Sequence, residues 1–260
     1  LDANARVDAG MFSAWERARD LYADFTAFMN RFKVTGPKSA RARHHERRFF
    51  VGVSRGFGIE PRIFGEPVVG EATLFVCNHI SWADIAVLAS LLDARFVAKS
   101  DIARWPVIGG LARRFGPVFV DRDNGRRSGD QNEAIRAELR AGRSVILFPE
   151  ATTSDGTALL PFKSSLLAAA DSAATIQPLA MRYLDAGGAA LSPVRQRQIA
   201  WIGDDDLLTG AARVAREHTV ALVHFLPPLA PAEAADRKHL ARRLHALIAD
   251  AYAAAPNLSR

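Results

Sequence analysis

From about residue 60 onward, short apolar runs alternate with longer segments of helical periodicity, and this alternation limits the folds open to the chain. Parallel strands need a crossover between them, usually a helix, so the pattern predicts an α/β fold. We expect a mostly parallel, mixed central sheet flanked by helices. The predicted strands are 62–64, 73–77, 95–98, 117–121, 144–148, 175–181, 196–202 and 219–226. The predicted helices are 82–92, 101–115, 129–141, 163–172, 204–215 and 232–253.

The N-terminal part has a different composition. Aromatic residues recur at helical spacing over 11–33, Gly36-Pro37 breaks the chain, and a second helical run extends to about residue 57. Between residues 31 and 55, eight Lys or Arg residues stand against one Glu. We expect 1–58 to be a two-helix membrane-associating segment and 59–260 the α/β domain. The expected membrane contacts of the segment 1–58 are Phe12, Trp15, Phe25, Phe28, Arg41, Arg43, Arg47 and Arg48. The alternative is a helical hairpin that only packs on the main domain.

Composition narrows the possible classes. Cys77 is the only cysteine, so an internal disulfide and a multi-cysteine metal site are excluded. The net charge of +6 is concentrated in the basic N-terminal run, which argues against a distributed nucleic-acid surface. No apolar run approaches the length of a membrane span. The chain begins with Leu1 rather than Met, so a span upstream of it stays open. We expect the protein at the cytoplasmic face of the cell membrane, bound peripherally.

One stretch carries an acid–base pair. The apolar run 73–77 ends at Asn78, and the next run, from Trp82, reads as a helix. His79 and Asp84 therefore lie where a strand ends and a helix begins, the usual ligand edge of an open α/β sheet. The carboxylate can hold one ring nitrogen while the other accepts a proton from a hydroxyl that the substrate brings. The alternative is a histidine in the core with a polar residue in the first helical turn.

A second stretch repeats this topology. The buried run 144–148 is followed by Glu150, Ala151, Thr152 and Thr153. Loops rich in hydroxyls and free backbone N–H groups accept phosphate oxygens. The alternative is a hydroxyl-rich turn without a ligand.

Two further stretches follow strands. The run 116–122 ends with Arg122, which could bind a phosphate through two hydrogen bonds or remain a surface charge. The run 176–180 combines an apolar strand with Pro178 and carries no chemistry by itself.

The four stretches together resemble the lysophosphatidate and glycerol-phosphate acyltransferases of the PlsC type. The matching blocks are Asn78-His79 with Asp84, then 116–122, 148–152 and 176–179, and the resemblance covers about residues 60–226. Lys99 and the segment 105–109 fit a further element of the family. One departure is Ala151, where the family usually has glycine; we expect its methyl group to narrow the acceptor site and to disfavour a positive φ. Trp82, inside the first block, also occurs in the branch of the family that resembles lyso-ornithine-lipid acyltransferases.

The resemblance implies a 1-acyl-sn-glycerol-3-phosphate O-acyltransferase of phospholipid biosynthesis, with lyso-ornithine lipid as the alternative acceptor. The implied donor is a thioester of acyl carrier protein or coenzyme A, and the implied partners are membrane lipids, with neither metal nor cofactor. His79 would act as the base, Asp84 would orient it, and Lys99 would help to hold the oxyanion. The residues implied for the acceptor are Arg122, Glu150, Ala151, Thr152 and Thr153.

Two rival classes remain. A thioester or lipid hydrolase would use water in place of the acceptor, although the chain has no Gly-x-Ser-x-Gly elbow. A peripheral membrane-binding module without activity is the other, and the intact His79–Asp84 pair argues against it.

Overall fold

A computed structural model of the chain describes residues 40–70, 72–99, 117–120, 128–203 and 205–254. Within these residues seven strands form one sheet in the order β1-β7-β6-β2-β5-β3-β4. The strands are β1 (Ile59–Phe64), β2 (Thr73–Cys77), β3 (Ala94–Lys99), β4 (Val118–Val120), β5 (Ser144–Leu147), β6 (Thr175–Asp185) and β7 (Thr219–Phe225).

The sheet is mixed but mostly parallel, as the alternation predicts. Strand β2 runs parallel to both of its neighbours, β5 and β6, and β3 runs parallel to β5 and β4. Only β7 and its parallel neighbour β1 point the other way, because β6 and β7 pair antiparallel. The carboxyl ends of β2 and β5 therefore lie side by side at one edge of the sheet.

Helices accompany the sheet. The described α-helices are α1 (Ala40–Gly56), α2 (Ala83–Leu91), α3 (Ser128–Arg140), α4 (Pro193–Ile199), α5 (Leu207–Val214) and α6 (Arg237–Ala253), and the 3-10 helices are Ser164–Ser172 and Pro231–Ala235. All five residues of β2 are buried, as expected for a central strand of a sheet covered on both faces. Helix α2 follows β2 directly and is itself largely buried, which fixes the turn between them inside the protein.

The predicted strand 196–202 is wrong, because most of this segment belongs to helix α4. The Oγ of Ser192 accepts a hydrogen bond from the backbone N–H of Arg195 at 3.2 Å, and Pro193 opens the helix. This is an N-cap followed by the residue best suited to a first helical position. The buried guanidinium of Arg195 then donates to the carbonyls of Arg213 and Val214, both at 2.8 Å. These contacts join α4 to α5.

Other boundaries differ from the prediction. Strand β6 continues to Asp185 rather than ending at Met181, and the predicted helix 163–172 is a 3-10 helix. The predicted helix 232–253 begins only at Arg237, because the carboxylate of Asp236 caps it by accepting the N–H groups of Lys238 and His239. The predicted helix 101–115 lies outside the described residues.

Of the two predicted N-terminal helices, the second corresponds to α1. It packs against α2 and β1, with Phe49 and Phe50 buried. The predicted first helix, with Phe12, Trp15, Phe25 and Phe28, lies outside the described residues, and the domain boundary at residue 58 stays a prediction. In the part of the chain that the structure describes, no helix combines the length and the apolar character that a membrane crossing requires.

Candidate active site

Asn78 directly follows β2, at the edge of the sheet where β2 and β5 end, and its side chain is hydrogen-bonded to β6. Its side-chain N–H donates to the carbonyl of Met181 at 2.9 Å, and its side-chain oxygen accepts the N–H of Met181 at 2.8 Å. The side chain thus pairs with the backbone of β6 as another strand residue would. Since Asn78 is buried and comes one residue before His79, this pairing fixes where the chain leaves the sheet.

His79 and Asp84 form the pair that their spacing predicts. The Nδ1 of His79 lies 2.7 Å from Oδ2 of Asp84; the side chain of His79 is 17% exposed and that of Asp84 is fully buried. The same Oδ2 accepts the backbone N–H groups of Ile80 at 2.7 Å and Ser81 at 3.0 Å. Burying a carboxylate is costly unless its lone pairs are satisfied, and these contacts satisfy one oxygen.

Tyr183 satisfies the other oxygen of Asp84, and the sequence did not single it out. Its hydroxyl donates to Oδ1 of Asp84 at 2.7 Å from a side chain that is 1% exposed. Burial raises the pKa of Tyr183 well above its ordinary value, and the negative charge of Asp84 raises it further. A tyrosine in an apolar strand is the available signal, because a buried tyrosine hydroxyl usually has a partner.

The imidazole of His79 also rests on an aromatic ring. Its plane stacks on Phe148, with ring centroids 4.0 Å apart and the planes inclined by 12°. Hydrogen bond and stacking together hold the ring in one orientation. Among the described residues no protein group is hydrogen-bonded to the Nε2 atom of His79, so this nitrogen is available to a substrate.

Glu150 links the two predicted loops. Its Oε1 accepts the backbone N–H of His79 at 2.7 Å, and its Oε2 accepts the backbone N–H of Leu160 at 2.8 Å. The residue is 2% exposed, and burial raises its pKa, although the two backbone hydrogen bonds act in the opposite direction. Both carboxylate oxygens of Glu150 therefore accept backbone hydrogen bonds in this structure. A hydrogen bond between Glu150 and an acceptor hydroxyl stays a prediction.

Ala151 adopts the backbone conformation that its side chain was expected to disfavour. Its φ is +64°, and it is the only non-glycine residue with a positive φ in the described part of the chain. An L-residue in this region carries a steric cost of about 1–2 kcal/mol. The loop therefore keeps the turn that suits glycine and bears some strain for it.

The hydroxyl-bearing residues beside Ala151 differ in exposure. Thr152 is exposed, whereas Thr153 is half-buried and donates through Oγ1 to the carbonyl of Trp201. The N–H of Trp201 in turn donates to the carbonyl of Ile80 at 3.0 Å, and the N–H of Ser154 donates to the carbonyl of His79 at 2.7 Å. The loops after β2 and β5 are thus joined to each other and to the segment after α4.

The remaining predicted site residues are described in part. Arg122 lies outside the described residues, as do the side chains of Lys99 and Arg41, whose backbones belong to β3 and α1. On α1, Arg43 forms an ion pair with Asp93 at 2.8 Å, while the predicted membrane contacts Arg47 and Arg48 are exposed. Within the described ranges, no group of three or more His, Cys, Asp or Glu residues is arranged to hold a metal ion.

The fold is shared with a solved acyltransferase. The crystal structure of the 1-acyl-sn-glycerophosphate (LPA) acyltransferase PlsC from Thermotoga maritima has a TM-score of 0.64 to this chain, covering 96% of both chains. The sequences are 16% identical, so this similarity establishes the architecture. Fold and site together thus define an α/β protein of acyltransferase architecture with a histidine–carboxylate pair at the carboxyl edge of its sheet.

The sequence comparisons then identify the family. The model of the Acyltransferase family matches residues 32–182, and the chain belongs to this family. The resemblance inferred from the four sequence blocks is thereby confirmed, as is the assignment of the chain to an enzyme family of acyltransferases.

Named relatives differ in their acceptors. The chain is 42% identical to the lyso-ornithine lipid O-acyltransferase of Rhizobium meliloti over 62% of its length, but it spans only 58% of that protein. It is 36% identical to the lyso-ornithine lipid O-acyltransferase of Brucella abortus, covering 74% of this chain and 75% of the relative. The 1-acyl-sn-glycerol-3-phosphate acyltransferase of Neisseria gonorrhoeae is 40% identical over 45% of this chain and 47% of its own.

Proposed function

We propose that the protein transfers a fatty acyl group from a thioester donor to the free hydroxyl of a lyso-lipid. The observation that supports this most directly is the geometry of His79. One ring nitrogen is tied to Asp84, and the other faces no hydrogen-bonding protein group among the described residues. A base arranged in this way suits a substrate that supplies its own nucleophilic hydroxyl.

In the proposed reaction, Nε2 of His79 takes the proton of the acceptor hydroxyl as the oxygen attacks the thioester carbonyl. Asp84 stabilises the imidazolium that forms. Collapse of the tetrahedral intermediate breaks the carbon–sulfur bond, and the proton on His79 passes to the departing thiolate. The products are an ester and a free thiol. The oxyanion is proposed to be held by Lys99 and by backbone N–H groups of the loop after β5. The acceptor head group is proposed to bind Arg122, Glu150, Thr152 and Thr153.

For the acceptor we propose lyso-ornithine lipid first. The lyso-ornithine lipid O-acyltransferases of Rhizobium meliloti and Brucella abortus support this choice, since they match 62% and 74% of the chain. The second candidate is 1-acyl-sn-glycerol 3-phosphate, which the Neisseria relative supports over 45% of the chain. This order reverses the one that the sequence blocks suggest.

The test is a product assay. The purified protein is incubated with lyso-ornithine lipid, 1-acyl-sn-glycerol 3-phosphate and lysophosphatidylethanolamine, each with acyl carrier protein and coenzyme A thioesters, and products are identified by mass. His79→Ala should abolish acyl transfer, whereas His224→Ala, near the carboxyl end of the antiparallel strand β7, serves as the matched control. Thiol release without an acylated lipid would support a hydrolase instead, and transfer at an unchanged rate in His79→Ala would exclude the proposed base.

We further propose that the protein works at the cytoplasmic membrane surface through its basic N-terminal part. Arg47 and Arg48 are exposed on α1, where they can meet anionic lipids or an acidic acyl carrier protein. Flotation with anionic vesicles should be lost in the charge-reversal variant Arg47→Glu/Arg48→Glu. The control Arg237→Glu/Arg242→Glu makes the same charge change on α6. If the α1 variant floats normally but loses affinity for the carrier protein, α1 is a carrier-docking surface.

A further inference from the structure

Strand β6 extends beyond β2, the strand that precedes His79 in the chain. Its pairing with β2 ends where Cys77 meets Leu179, yet β6 continues to Asp185 and remains paired there with β7. Side chains of a strand alternate between its faces, so Leu179, Met181 and Tyr183 share one face. The overhang of β6 therefore brings Met181 to Asn78 and Tyr183 to Asp84.

The two oxygens of Asp84 have separate tasks. Oδ2 receives the imidazole of His79 and two backbone N–H groups, whereas Oδ1 receives the hydroxyl of Tyr183 at 2.7 Å. In the described part of the chain, that hydroxyl is the only hydrogen-bond donor to Oδ1. Asp84 is fully buried, so losing this donor would leave Oδ1 without a hydrogen bond, which costs free energy.

We propose that Tyr183 is a positioning residue for the acyl transfer, acting on His79 through Asp84; this inference rests on the proposed function. Its hydrogen bond prevents the carboxylate from turning away from Nδ1 of His79. It also draws negative charge toward Oδ1, so that Asp84 does not hold the imidazolium too tightly. His79 must first take a proton from the acceptor and then return it to the thiolate, and both transfers depend on this balance.

Other ionisable groups interact electrostatically with the same carboxylate. Besides His79 and Tyr183, these groups are Cys77 in β2, Glu150 after β5 and Tyr252 in α6. Tyr252 provides a matched control, because it is also a buried tyrosine whose hydroxyl donates a hydrogen bond, in this case to the carbonyl of Gly156.

The test compares Tyr183→Phe with Tyr252→Phe. Tyr183→Phe should lower kcat about tenfold, as expected for the loss of one hydrogen bond to a charged group, with the acceptor KM changed less than about twofold. The acid limb of the kcat/KM profile should move to higher pH, because an Asp84 without its donor favours the imidazolium. Tyr252→Phe should leave the pH profile in place even where it lowers thermal stability.

A double mutant separates positioning from mere structural support. In an Asp84→Asn background, Tyr183→Phe should cause little further loss of kcat, because its route to His79 is already removed. An equal loss in both backgrounds, or a pH profile that does not move, would overturn the proposal and leave Tyr183 a structural residue.

A spectroscopic measurement distinguishes failure of this proposal from failure of the proposed function. The proton between Nδ1 of His79 and Asp84 should give a low-field NMR resonance that moves further downfield in Tyr183→Phe and stays in place in Tyr252→Phe. This readout requires no turnover. A protein that acylates none of the lyso-lipids yet shows the shift would refute the acyl transfer alone; an unmoved resonance in an active enzyme would refute the role of Tyr183.

Discussion

The imidazole of His79 lies flat on the ring of Phe148, the first residue after β5, with centroids 4.0 Å apart. Phe148 is itself 4% exposed and is followed by the Pro149-Glu150 turn. The same turn therefore supplies a surface for the ring of His79 and, through Glu150, an acceptor for its backbone N–H. Ring and backbone of His79 are both fixed by one neighbouring strand end.

Replacing Phe148 with leucine should lower kcat several-fold without preventing folding. An aromatic pair contributes about 0.5–1.5 kcal/mol beyond simple burial, and part of this orients His79 for proton transfer. Steady-state kinetics with saturating donor measure the change. Phe96→Leu is the control, since its ring lies 6.3 Å from Phe148 and stacks on that ring rather than on His79. An equal loss in both variants would contradict a specific role for the stacking.

Ala151→Gly should stabilise the protein by about 0.5–1 kcal/mol, because relief of the strain at φ +64° outweighs the extra freedom that glycine gives the unfolded chain. Urea denaturation of the two proteins measures the difference. Ala169→Gly, at a buried position of the 3-10 helix Ser164–Ser172, should instead destabilise by about 1 kcal/mol. If both glycines destabilise, the strain at Ala151 is not the controlling factor.

Glu150→Gln should destabilise the protein by about 1–3 kcal/mol and reduce acyl transfer as a consequence. Glutamine offers one oxygen where two backbone N–H groups, of His79 and Leu160, need an acceptor, so one donor is left buried without a partner. Chemical denaturation measures the free energy of unfolding. The control is Glu138→Gln, which removes the charge from an exposed ion pair with Arg143. Normal stability with a raised acceptor KM would instead support direct contact with the substrate.

Glu46 should make stability depend on pH. The carboxyl pKa of Glu46, in α1, is raised from the ordinary 4.5 to about 7; burial is the main cause, Arg95 and Arg43 oppose it, and Asp93 acts in the same direction as burial. The folded chain therefore binds more protons than the unfolded chain between these values, so this group's contribution to stability falls as pH rises from about 4.5 to about 7.

Denaturation curves at several pH values test this effect. Glu46→Gln should remove that part of the decline and gain stability relative to the wild type at pH 8. Glu133→Gln, on the surface of α3, should leave the pH dependence as it is. Parallel curves for wild type and Glu46→Gln would show that Glu46 does not titrate in this range.

Local patterns account for what the sequence predicted well. The apolar runs at β2 and β5, each followed at once by polar residues, are signals contained in a few neighbouring residues, and they located His79 and Glu150 correctly at one edge of the sheet. The parallel arrangement of these strands follows from the helices between them. The pairing of His79 with Asp84 also spans only five residues.

The missed features depend on contacts between distant parts of the chain. Tyr183 reaches Asp84 across 99 residues; a tyrosine in an apolar strand indicates that its hydroxyl has a partner, but the nearby sequence does not identify Asp84 as that partner. The isoleucine, alanine and tryptophan after the polar residues of α4 favour a strand in the sequence, whereas the cap at Ser192 and the burial of Arg195 determine its helical conformation. The sequence also does not reveal that the backbone N–H groups of His79 and Leu160 lie beside Glu150; its contact with the acceptor stays a prediction.

The backbone of Trp201 joins the loops that follow β2 and β5: its N–H donates to the carbonyl of Ile80, and its carbonyl accepts the hydroxyl of Thr153. Together with the hydrogen bonds of Glu150 and Ser154 to His79, these bonds hold the two loops in a fixed relative position. Moving the two loops apart would break several of these hydrogen bonds at once. With the acceptor bound at these loops as proposed, adaptation to a new acceptor would come from exchanged side chains, such as Thr152, rather than from a wider gap between the loops.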